Sequence, residues 1–188
     1  MPRKPAYDHS QLMAAAYAVL RAQGPANLSL RPIAARLGVS QPALFKRIGS
    51  KQALLAALQR WATDQTRTVL AALADHEPLD GLRRLFRAFA GQVTSPRELA
   101  HLLAFSALCL ADPQLRVLAQ ARQRLMVNAV AAALRRAGCA RAAPTARTVV
   151  ALLDGVPVSW ATRPRGPLER ALLEALDVAL GAAGLPTW

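Results

Sequence analysis

Apolar positions along the chain recur at three- and four-residue intervals, and the breaks between these runs all read as helix boundaries. Asp8-His9-Ser10-Gln11 has the form of a capping box, an N-cap acid with glutamine three residues later, and opens a helix running to about Gln23, before Gly24-Pro25. Ser29 caps a short helix over about Leu30–Leu37, closed by Gly38. Ser40 caps another over about Gln41–Arg47, and Ser50 opens a long one from Lys51 to about Ala74. Pro32 and Pro42 fall in first turns, where a missing N–H has no intrahelical partner to lose.

The second half is punctuated in the same way. His76-Glu77-Pro78 opens a helix to about Gln92, and Ser95-Pro96-Arg97-Glu98 opens one to Leu110. Asp112-Pro113 starts a long helix reaching Arg136 before Gly138. Pro144-Thr145 and Gly166-Pro167 open the last two, the final one ending near Gly181. Pro157 should kink or shorten the helix that contains it. No alternating strand pattern and no internal repeat interrupts this reading, so the expected fold is all-α, with about nine helices.

Composition agrees and adds a bias. Apolar residues make up 53% and aromatics only 5%, a helix-favouring balance that excludes a disordered chain. The 24 basic and 11 acidic side chains give a net charge of +13, and residues 1–51 alone carry eight basic groups (Arg3, Lys4, Arg21, Arg31, Arg36, Lys46, Arg47, Lys51) against Asp8. Such an excess in the first quarter suits a polyanionic partner. Cys109 and Cys139 have neither CxxC nor zinc-ligand spacing, so no metal or cofactor is expected and a reducing cytoplasm fits. No stretch approaches the ~18 uncharged apolar residues that a membrane span requires. Leu12–Leu20 has the outline of a signal sequence, but Asp8 to Gln11 interrupt its approach and Arg21 follows at once.

The segment from Leu28 to Ser40 has the logic of a helix-turn-helix. Ile33, Ala34 and Leu37 make one apolar face, Ala34 is small enough for a second helix to cross closely, Gly38 permits the turn, Val39 plugs the corner and Ser40 restarts the helix. Leu44 points inward from the second helix, leaving Gln41, Pro42, Phe45 and Lys46 on other faces.

The run Ser40-Gln41-Pro42-Ala43-Leu44-Phe45, followed by Gly49-Ser50-Lys51-Gln52-Ala53-Leu54-Leu55, resembles the TetR/AcrR family of transcriptional repressors over about residues 12–58. The resemblance implies a helix-turn-helix DNA-binding domain over residues 1–55 and a helical ligand-binding and dimerisation domain over 56–188. It also implies a ligand-responsive, cytoplasmic repressor that binds a palindromic double-stranded operator as a homodimer. On that basis Arg31 reaches DNA from the first helix of the motif, Ser40 caps the reading helix, and Gln41 reads adenine. Pro42 and Phe45 pack on thymine methyls or the sugar-phosphate wall, and Lys46, Arg47 and Lys51 contact phosphate. The chain departs from the family in having Arg47-Ile48 in place of His-Phe, and Phe45 in place of tyrosine, which removes a hydroxyl. Arg3 and Lys4 form a candidate minor-groove arm.

Downstream, the helix number and Leu152-Leu153-Asp154-Gly155 carry the likeness. Trp61, Phe86, Phe89, His101, Phe105, Cys109 and Asn128 combine apolar bulk with isolated polar groups, the ingredients of a pocket for a small, largely hydrophobic effector. Aromatics at helical spacing also make ordinary core. Val149, Leu152, Leu153, Val156, Leu172, Leu176 and Leu180 are expected at a dimer interface formed by the last two helices, although the same residues could close the chain's own core. Two other classes compete with a repressor: an enzyme, for which no nucleophile triad, metal spacing or phosphate loop is present and only three histidines exist, and a helical interaction module that does not bind DNA.

Overall fold

The computed structural model describes residues 7–73 and 75–187, so Arg3, Lys4 and the expected end of the fourth helix at Ala74 lie outside the described residues. Nine helices and no strand occur among those described: α1 His9–Gln23, α2 Leu30–Leu37, α3 Gln41–Ile48, α4 Lys51–Leu73, α5 Pro78–Ala90, α6 Pro96–Ala111, α7 Pro113–Arg136, α8 Ala142–Thr162 and α9 Leu168–Ala182.

Local capping chemistry sets most starts. The Asp8 carboxylate accepts from Gln11 N at 2.7 Å while the Gln11 side chain accepts from Asp8 N at 2.8 Å, a complete capping box. Asp112 accepts from the backbone N–H groups of Gln114 and Leu115 at 2.8 and 3.0 Å and so caps α7. The bond from Leu115, then the one from Gln52, holds its carboxyl below the usual range. Three expectations are corrected. Ser29 precedes α2 without a side-chain cap bond, and α5 ends at Ala90, two residues short of Gln92. α8 begins at Ala142, which places Pro144 inside its first turn, and continues through buried Pro157 to Thr162 instead of being shortened.

The chain forms two compact units, one of residues up to Asp64 with Ala100–Gln120, the other of Gln65–Leu99 with Ala121–Trp188. These are not the two sequence segments 1–55 and 56–188, because residues 100–120 pack with the first unit. Its core joins Leu12, Met13, Ala16, Val19 and Leu20 of α1 to Ile33 and Ala34 of α2, Leu44 of α3, Leu54, Leu55 and Leu58 of α4, Phe105 and Cys109 of α6, and Leu115 of α7. Burying each leucine contributes roughly 1.5–3 kcal/mol, so this core defines the geometry of the short helices it carries.

In the second unit α9 packs against α5 and α8. Phe86, Leu82, Leu134, Leu153 and Leu172 are its largest fully buried side chains. The Arg83 guanidinium of α5 donates to Asp177 of α9 at 2.7 Å, a mostly buried ion pair that fixes the register of these two helices.

Candidate nucleic-acid interface

The reading face is built by the turn between α2 and α3. Gly38 adopts φ 65° and ψ 31°, the left-handed conformation that side chains with a Cβ resist, and its N–H with that of Val39 satisfies the Ala35 and Ala34 carbonyls. Val39 then packs on the core, as expected for the corner residue. Ser40 Oγ accepts from Ala43 N at 3.4 Å and Pro42 occupies the first turn, so α3 starts sharply.

Only one residue of α3, Leu44, is buried, and it is 0% exposed. Gln41, Pro42, Phe45 and Lys46 are all exposed, and their i, i+3 and i+4 spacing puts them on one continuous face. Phe45 is 57% exposed, a large apolar surface at the centre of an otherwise polar and basic strip. Arg31 is exposed on α2. Such a face offers an amide, an aromatic edge and cations together, which is what reading base edges between phosphate contacts requires.

Two expected phosphate ligands have intramolecular partners as well. Arg47 donates to the Tyr7 carbonyl at 3.3 Å, and its guanidinium carbon stands 4.9 Å from the Tyr7 ring centroid. Lys51 Nζ donates to the Ala26 carbonyl at 3.1 Å, which leaves two ammonium protons to face outward. Nothing in the sequence pointed to Tyr7, since its contact to Arg47 spans forty positions.

The residues expected around an effector are divided between the units. Phe105 and Cys109 are core residues of the first unit, packed with α1 to α4. Trp61 is half-buried there against Tyr17, with ring centroids 5.4 Å apart, and its Nε1 is buried without a hydrogen-bond partner among the described residues. His101 Nδ1 lies 2.7 Å from the Arg21 carbonyl of α1. In the second unit Phe86 is fully buried, Phe89 half-buried and Asn128 exposed. A cleft of about 140 Å³ in that unit is lined by other residues, among them Leu70, Pro78, Leu82, Val130 and Arg136. Of the expected seven, Trp61, His101, Phe105 and Cys109 thus belong to the first unit and Phe86, Phe89 and Asn128 to the second.

Among the expected dimer residues, Val149, Leu153, Leu172, Leu176 and Leu180 are buried within the single chain. Leu152 and Val156 retain partial exposure.

No group of three or more His, Cys, Asp or Glu side chains suited to a metal occurs among the described residues, and no single helix there is long and apolar enough to cross a membrane. An exposed, basic reading helix held by a helix-turn-helix defines a DNA-binding transcription regulator. Residues 12–58 match the bacterial regulatory proteins of the TetR family, and residues 78–183, more than half of the chain, match the C-terminal part of BetI-type transcriptional repressors; the chain belongs to the TetR family.

No curated protein matches the chain in sequence. Solved structures share its fold. A transcriptional regulator from Rhodococcus sp. Rha1 is 24% identical with a TM-score of 0.73, covering 94% of this chain and 97% of its own. A regulator from Saccharomonospora viridis, solved in complex with choline, is 19% identical with a TM-score of 0.74, covering 90% and 93%. SmeT, the repressor of the Stenotrophomonas maltophilia multidrug efflux pump SmeDEF, is 24% identical with a TM-score of 0.67, covering 94% and 90%.

Proposed function

We propose that this regulator is a cytoplasmic repressor that binds a palindromic operator as a homodimer and is released by a small, largely hydrophobic effector. The observation that carries the reading is the exposed face of α3, where Gln41, Pro42, Phe45 and Lys46 surround a single inward leucine. A helix of eight residues reaches few bases, so tight binding calls for a second copy placed about 34–36 Å away, one turn of DNA. DNA reading is assigned to about the first 55 residues, and effector binding and dimerisation to the remainder.

Support for the second copy comes from the outer faces of the last two helices. On α9, Ala171, Ala175, Val178 and Ala182 form a stripe flanking the buried leucines, with Val178 and Ala182 exposed. On α8, Ala151, Gly155, Val158 and Ser159 are exposed beside the half-exposed Leu152 and Val156. A Cβ added at Gly155 would meet nothing within 4 Å in this chain. Glycine in mid-helix costs about 1 kcal/mol relative to alanine, a cost with no return inside the monomer but one that suits close approach by a partner helix.

For the effector, the 140 Å³ cleft has small apolar walls, with Gly81, Ala129 and Ala133 among them. Its size is close to that of an engineered apolar cavity of about 150 Å³ that accepts benzene. Among the described residues no aromatic lines it, so they offer no ring cage of the kind quaternary ammonium ligands favour, and the choline of the Saccharomonospora viridis regulator is not carried over.

Binding to fragments of its own upstream region, at two or more salt concentrations, tests the reading. The wild type should select one fragment over random DNA, with two chains per site. Gln41→Ala should lose about 1–3 kcal/mol on that fragment and tolerate substitution at one base position per half-site, since an amide there pairs with one base. Lys51→Ala should weaken all fragments alike and lower the salt slope by about one. An unchanged ratio of specific to random affinity in Gln41→Ala removes the reading role from that residue. Equal affinity of the wild type for all fragments removes the operator.

A further inference from the structure

The turn between α1 and α2 is held from outside the helix-turn-helix. α1 ends at Gly24, where φ is 77°, and three of its last carbonyls are taken by separate donors. Gly24 N bonds Leu20 O at 2.8 Å, Asn27 Nδ2 bonds Gln23 O at 3.1 Å, and His101 Nδ1, from α6, bonds Arg21 O at 2.7 Å. A carbonyl can only accept, so Nδ1 carries the proton. The ring also occupies the space a side chain at position 24 would need, since a Cβ there would stand 2.9 Å from His101 Cδ2. Lys51 fastens the same turn through Ala26 O.

His101 begins a stripe, continued by Phe105 and Cys109 at four-residue steps, and the latter two are buried in the core that carries α2 and α3. Apolar contacts of this kind hold α6 against that core but leave its register soft, whereas a directional bond to one carbonyl with a ring seated on a bare glycine sets it. The turn beyond Gly24 leads directly into α2, so its conformation sets the angle at which α2 and α3 are presented.

We infer that His101 is a positioning residue for the DNA-reading helices: through Arg21 O and Gly24 it registers α6 on the end of α1 and holds the α1–α2 turn. The inference rests on the DNA-reading role proposed above, and its test separates the two. Asparagine can place its amide nitrogen where Nδ1 stands, whereas the longer glutamine places it nearer the position of Nε2. His101→Ala and His101→Gln should lose operator affinity by roughly three- to tenfold, the range that one net hydrogen bond represents, with random-DNA affinity unchanged, and His101→Asn should recover most of the loss. Hydrogen exchange of the free protein should quicken at residues 23–29 in the alanine and glutamine variants and remain near wild type in asparagine.

Gly24→Ala should bind worse than wild type, and pairing it with His101→Ala, which removes the ring, should cost less than the two single losses together. Operator affinity and exchange at 23–29 that are both unchanged in His101→Ala overturn the inference, as does recovery by glutamine but not asparagine. A wild type with no preference for any DNA overturns the operator reading alone, and the exchange measurements then still decide whether His101 holds the turn.

Discussion

Aspartate in place of Leu176 should leave no stably folded chain, while aspartate in place of Val178, two positions on in the same helix, should leave a folded monomer. Leu176 is 0% exposed in the α5, α8 and α9 core, and Val178 is 75% exposed. A carboxylate forced into the first site would lie in an apolar core with Leu172 and Leu180. The cost of such a charge, several kcal/mol even after relaxation, is comparable with the roughly 5–15 kcal/mol that separates most folded chains from unfolded ones.

At Val178 the monomer loses nothing it had buried. Across a two-fold axis, however, an isologous interface would bring each new carboxylate near its own copy and remove apolar contact from both sides. Circular dichroism melts and sedimentation at micromolar concentration read the two effects separately. The expected results are a lost or strongly lowered transition for Leu176→Asp, and a wild-type transition with a monomeric mass for Val178→Asp. A Val178→Asp dimer as tight as wild type would show that the outer face of α9 is not the interface.

The second large effect sits on adjacent residues of α3. Leu44→Ala should cost about 2–5 kcal/mol of stability, because Leu44 is the one fully buried side chain of the reading helix and its removal leaves a cavity among α1, α2 and α4. Phe45→Ala should leave stability within about 0.5 kcal/mol of wild type, since the ring is largely in water. It should weaken operator binding by on the order of 1 kcal/mol, the gain from taking the exposed ring surface out of water against DNA. Thermal denaturation and operator titration of the two variants should therefore give opposite rankings. A Phe45→Ala protein that binds like wild type would place the aromatic outside the contact.

What was readable along the chain follows from the range of the forces involved. Helix starts depend on bonds spanning two to four residues, such as Asp8 with Gln11, Ser40 with Ala43 and Asp112 with Leu115. Those signals are complete within a short window of sequence. The helix-turn-helix is legible for the same reason, since Gly38, Val39 and Ser40 are consecutive and Leu44 follows at helical spacing. The start of α8 was missed because Arg141 makes no side-chain cap bond and Pro144 gave a stronger but misplaced signal.

The stripe of His101, Phe105 and Cys109 shows where that legibility stops. Its composition suits a ligand pocket or a packing face equally, and only the tertiary structure shows that Phe105 and Cys109 are buried with α1 to α4. On α8 and α9 the apolar stripe could serve a second chain or the chain's own core, and periodicity does not choose between them; the chain buries Val149, Leu153, Leu172, Leu176 and Leu180 and leaves Gly155, Val158 and Val178 exposed. The amino-acid sequence by itself determined the all-helical class, most helix boundaries and the reading helix, because caps, glycine turns and single-face periodicity act over a few residues. The tertiary structure alone decided the partners of Arg47, Arg83 and His101, which lie 40, 94 and 80 positions away, because a hydrogen bond between distant segments depends on how whole helices pack and leaves no local pattern.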